Sequence, residues 1–126
     1  MIEVYFSNIE NVIGRYSNIL KYTLNKRIVN SSFGIISGQI FYQGYILDFL
    51  EVVRVTDLGE PVKKKYKYHF RDSQNKMIFR YDNVPHFPEI DSFPHHKHVG
   101  ENVFQSTELL FYDILKEIDM QITTST

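Results

Sequence analysis

Residues 62–71 read VKKKYKYHFR and alternate with period two. In an extended chain Val62, Lys64, Tyr66, Tyr68 and Phe70 point one way, while Lys63, Lys65, Lys67, His69 and Arg71 point the other. One face is largely aromatic and its opposite is basic, as in a strand that buries one side. The lysines have an ordinary use too, since charge on a strand keeps it soluble and discourages edge pairing.

Further strands are expected on either side: Phe33–Tyr42, Tyr45–Val55 and Met77–Asp82, with the central one running Val62–Phe70. These segments are rich in Ile, Phe, Tyr and Val, which suit a pleated surface. Gln43-Gly44, the stretch with Asp57, Gly59 and Pro61, and Asp72-Ser73-Gln74-Asn75 separate them with turn chemistry. Connections this short imply antiparallel neighbours, because a parallel return needs a crossover of a dozen or more residues.

Upstream, Ile9, Val12, Ile13, Tyr16 and Leu20 recur at steps of three and four, which predicts an opening helix. Asn30, Ser31 and Ser32 then form a polar cluster before the first strand. Downstream, Phe111, Ile114, Leu115, Ile118 and Ile122 share a stripe, predicting a closing helix with Ser106 or Thr107 as N-cap, Glu108 in its first turn and a frayed ITTST end. Between sheet and closing helix, Pro85, Pro88 and Pro94 forbid a regular element. The expected fold is α+β in two layers: an N-terminal helix, a four-stranded antiparallel sheet, an irregular Pro/His loop and a C-terminal helix.

At 126 residues the chain has room for one domain, 1–126, and no second. The absence of cysteine excludes disulfides, thiol catalysis and thiolate metal sites. No apolar run is long enough to cross a bilayer and no signal peptide opens the chain, so a cytoplasmic address without membrane contact is expected. Scattered glycines exclude a phosphate-cradling loop. Net charge is -1, but residues 54–81 hold eight bases and three acids, while residues 82–126 hold two bases and eight acids. A basic middle fits either contact with a polyanion or a solvated face balanced by nearby acids.

Chemistry concentrates in residues 79–100, FRYDNVPHFPEIDSFPHHKHVG, which hold four of the five histidines. His86, His95, His96 and His98 carry side chains that titrate nearest neutrality, on a loop whose prolines reduce its freedom. Two chemistries follow. One is metal-independent cleavage of RNA, in which one imidazole deprotonates the 2′-hydroxyl and another protonates the leaving oxygen. Arg80, Lys97 and the row Lys63, Lys65, Lys67, His69 and Arg71 would supply cations for the phosphate, and Tyr66, Tyr68, Tyr81 and Phe87 would offer stacking surfaces. The other is a metal. His96 and His98 project to one side of an extended backbone, with His86, Asp82, Glu89 and Asp91 completing the ligands. Asp82 and Asn83 also have a plain use, ending the fourth strand in a side-chain turn.

The same stretch resembles the TumE family, the toxin partners of small toxin–antitoxin modules in bacteria and archaea. It reads as an Arg-aromatic-Asp-Asn-x-Pro-His-x-Pro-Glu element followed by Phe-Pro-His-His-x-His. Arg80, Asp82, Asn83, Pro85, His86, Pro88, Glu89, Pro94, His95, His96 and His98 match, and Phe87 stands where the family often has a second histidine. The likeness extends loosely through the KYKYHFRDSQNKMIFR hairpin and the closing helix. It implies a growth-arresting toxin masked by a cognate antitoxin. It implies no particular reaction; the endoribonuclease expectation comes from the acid–base reading, with no cofactor and with RNA as substrate. The alternative is a non-enzymatic metal- or partner-binding module on the same loop. A symmetric homodimer is the default assembly.

Overall fold

The computed structural model describes residues 1–85 and 92–124. Its elements run α1 (Ile2–Ile13), β1 (Lys21–Asn30), β2 (Phe33–Tyr42), β3 (Tyr45–Val55), β4 (Pro61–Asp72), β5 (Met77–Asp82), β6 (His96–Val99), β7 (Asn102–Gln105) and α2 (Phe111–Thr124). The strands form one seven-stranded antiparallel meander in chain order.

The expected four-stranded sheet is therefore corrected to seven. The four expected strands fall on β2 to β5; what they lacked was an edge on each side. The Asn30-Ser31-Ser32 cluster is the turn of a β1–β2 hairpin, where the Asn30 side chain accepts from Ser32 N–H at 2.9 Å. The helical stripe through Tyr16 and Leu20 also fails, because α1 stops at Ile13 and Leu20 leads into β1 with its side chain exposed. On the other side, the segment expected to be irregular supplies β6 and β7, joined at Gly100, whose φ of 59° suits glycine.

Both helices contribute to the core on one face of the sheet. Ile2, Phe6, Ile9 and Ile13 of α1 and Phe111, Ile114, Leu115 and Ile118 of α2 are buried with Phe49, Tyr66, Tyr68, Phe70 and Phe79 of the strands. Phe111 packs on Phe49 with ring centroids 4.9 Å apart. The expected cap at Ser106 or Thr107 is also corrected: α2 begins at Phe111, where Asp113 Oδ2 accepts from Leu110 N–H at 3.0 Å, the returning half of a capping box.

One irregularity reassigns a lysine. β3 and β4 pair Val52 with Lys65 but Val53 with Lys63, leaving Lys64 as the extra residue of a bulge. The bulge turns Lys63 from the basic face onto the helix side. There its ammonium donates to Tyr68 Oη at 2.8 Å and to the Leu109 carbonyl, and it lies over the rings of Tyr66 and Tyr68. Burial lowers its pKa, opposed by Glu51.

Candidate functional site: a carboxylate that gathers two histidines and an arginine

Register brings the site together. β5 pairs with β6 so that Arg80 faces His98 and Asp82 faces His96, while β4 places His69 opposite Arg80 and Lys67 opposite Asp82. Alternation sends all six side chains to the sheet face away from the helices.

Asp82 is the hub. Its carboxylate is fully buried, with His96 Nε2 at 2.7 Å from Oδ1, Arg80 Nε at 2.8 Å from Oδ2 and His98 Nε2 at 3.6 Å from Oδ2. Val84 N–H also donates to Oδ1 at 3.1 Å, so the expected turn-forming role of this aspartate holds beside its role as hub. A buried carboxylate needs such partners, since desolvation is otherwise prohibitive.

His96 is enclosed, with Nδ1 at 2.9 Å from the Pro94 carbonyl and Nε2 on Asp82. Both nitrogens face oxygen atoms, which fixes the plane of the ring. The His98 ring meets it edge-on at 4.8 Å. Burial holds the His98 pKa below the ordinary imidazole value, helped by the Arg80 charge and His96 and opposed by Asp82. His69 is lowered as well, by burial first, against Asp48 and with Lys67, Arg80 and Arg71 adding.

Other sequence-predicted residues fall elsewhere. His95 leaves the cluster: its Nδ1 lies 2.8 Å from Tyr66 Oη and its ring stacks on that tyrosine. Burial raises the Tyr66 phenol, which therefore stays protonated and can donate to Nδ1. Lys97 points to the helix side, 3.3 Å from Glu117 and over the Tyr81 ring, and Tyr81 donates to the same carboxylate at 2.6 Å. Tyr66, Tyr68 and Tyr81 are core residues rather than platforms for bases. Asn83 ties β5 to β4 by accepting from Tyr66 N–H at 2.9 Å. Arg71 is paired with Asp48 at 2.6 Å, whereas Lys65 and Lys67 remain exposed on the basic face. His86 and Glu89 lie outside the described residues, as do Phe87 and Asp91.

A buried network on the helix side has no counterpart in the sequence reading. Glu51 is fully buried and accepts from the hydroxyls of Tyr5 and Tyr68. The alternation of β3 carries a signal for it, because Glu51 falls among Leu47, Phe49, Val53 and Val55 on the apolar face.

The fold and the cluster define a class: a small α+β protein built on an antiparallel meander, with a histidine–carboxylate group at the end of its fifth and sixth strands. The family model described as Toxin TumE matches residues 9–122, and the chain belongs to that family. It is thus the toxin component of a toxin–antitoxin module, and membership implies a cognate antitoxin. No curated protein and no solved structure matches the chain. Among the described residues, no helix is long and apolar enough to cross a membrane.

Proposed function

We propose that this toxin is an endoribonuclease whose chemistry is carried by the Asp82 cluster without a metal. The supporting observation is the convergence of Arg80, His96 and His98 on one buried carboxylate, beside the exposed Lys65 and Lys67. RNA carries its own nucleophile, so the protein needs a base, an acid and a cation. His98, held neutral by its lowered pKa, takes the proton of the 2′-hydroxyl as that oxygen attacks phosphorus. The guanidinium of Arg80, fixed through Nε by Asp82, offers its remaining N–H groups to the phosphate oxygens. A second imidazole returns a proton to the leaving 5′-oxygen; His86 is the residue proposed for this step, because His95 faces Tyr66 on the other side of the sheet. Asp82 and His96 act by positioning. Single alanine variants at His86 and His98 test the reading: loss of RNA cleavage and toxicity with an unchanged circular dichroism spectrum is expected, and full activity in both would remove it.

One observation favours a second reading. The ligand atoms of Asp82, His96 and His98 all lie within 4.8 Å of one another, a set with the composition of a two-histidine, one-carboxylate metal site. The Pro94 carbonyl on His96 Nδ1 is the outer contact that metal-bound histidines commonly keep. Stoichiometric metal surviving purification without tags, with no cleavage of any RNA, would favour this binding module.

A further inference from the structure

The two edges of the sheet differ. β7 is an edge of four residues, too short to recruit another strand. β1 is an edge of ten residues, hydrogen-bonded to β2 on one side, and nine of the ten are exposed. Tyr22, Ile28 and Val29 lie 44%, 48% and 52% exposed along it. Pairing with β2 is regular from Lys21 to Ile28, so the outward row of backbone groups is regular over the same length. Gly34 and Gly38 of β2 hold the strand close: the Thr23 carbonyl sits 2.1 Å, and the Arg27 carbonyl 2.9 Å, from where a Cβ on Gly38 or Gly34 would stand.

Charge selects what could cover this edge. β1 carries Lys21, Lys26 and Arg27 and no acid. Lys26 is already paired with Glu10 of α1, so two copies placed edge to edge would bring together Lys21 and Arg27 from each strand, four cations with no acid in either strand, which disfavours self-pairing. An incoming strand bearing Asp or Glu meets the opposite situation. Exposed apolar side chains beside the cations favour a polypeptide over a nucleic acid, because strand addition satisfies the backbone row and the side chains together.

We propose that β1 is the docking edge for the cognate antitoxin, which adds an extended, acid-bearing segment as an eighth strand. The proposal rests on family membership, which supplies the partner. It does not rest on the nuclease reading, whose failure would leave antitoxin binding intact.

The test uses the full toxin and the antitoxin that neutralises it in co-expression. Exchanging Lys21→Glu and Arg27→Glu together should weaken antitoxin binding at least tenfold by calorimetry and abolish neutralisation, with an unchanged circular dichroism spectrum. Hydrogen exchange on the wild-type pair should show residues 21–30 gaining protection in the complex. Wild-type affinity in the double variant, or protection confined to other elements, would overturn the proposal. So would a variant that loses RNA affinity, or that turns a dimer into a monomer, while still binding antitoxin at full strength. Should the double variant fail to fold, exchange on the wild-type pair decides.

Discussion

His96 Nε2 lies 2.7 Å from Asp82 Oδ1, and both residues are buried. Removing Asp82 leaves a buried imidazole nitrogen without its acceptor and Arg80 without its counter-ion, so Asp82→Ala should cost about 3 kcal/mol of stability. Arg80→Ala should cost less, because its side chain is one-third exposed and water replaces the lost contact. Urea denaturation of the two variants measures both. Equal losses would mean that Asp82 is not the hub.

The histidines set a pH dependence. His69 and His98 both have folded pKa values below the ordinary 6.5, chiefly through burial. The unfolded chain therefore binds protons that the fold resists, and stability contributed above about pH 6.5 is lost as pH falls through that value toward the folded pKa values. A melting temperature that declines from pH 7 to pH 5, and declines less in His69→Gln and His98→Gln, is expected. A profile unaffected by both substitutions would contradict it.

Tyr66 tests the position of His95. The Tyr66 hydroxyl, 2.8 Å from Nδ1, and the stacked contact together fix the position and plane of the His95 ring. Tyr66→Phe keeps the ring and removes the hydroxyl. Because His95 lies away from the Asp82 cluster, the variant should lose about 1 kcal/mol of stability with the pH–rate profile of cleavage unchanged. A shifted profile would place His95 in the reaction and contradict its structural assignment.

Gly38→Ala should be among the most damaging substitutions outside the core. The added methyl meets the Thr23 carbonyl, a backbone atom that cannot swing aside, so β1 must shift from β2. Overpacking of this kind costs about 1–3 kcal/mol. Gly44→Ala separates this from backbone strain alone, since nothing lies within 4 Å of a Cβ there although φ is +84°. Thermal melts of the two variants provide the comparison.

The alternation of VKKKYKYHFR and the turn signals around it made β2 to β5 and their antiparallel pairing legible. β1 was hidden because Tyr16 and Leu20 continue the spacing of α1, while KYTLNKRIVN is an exposed edge with little apolar alternation to display. β6 and β7 were hidden by the prolines, which end before His95 and leave room for two four-residue strands. Of the candidate site, the extended His96-Lys97-His98 segment was readable as two rings on one side, as β6 places them. Asp82 as their shared partner depends on register between strands, which no local pattern encodes. The same holds for Lys63, which only the bulge at Lys64 turns inward.

The most direct test of the central claim is the chemistry of the cut ends. Purified toxin, stripped of metal and held in chelator, is incubated with end-labelled RNA and with the same RNA carrying 2′-deoxy substitutions at the cut site. Cleavage leaving a 2′,3′-cyclic phosphate, abolished by the deoxy substitution and by His98→Ala, is the predicted result. No cleavage, or cleavage that needs a divalent ion and leaves a 3′-hydroxyl, would contradict a metal-independent histidine mechanism.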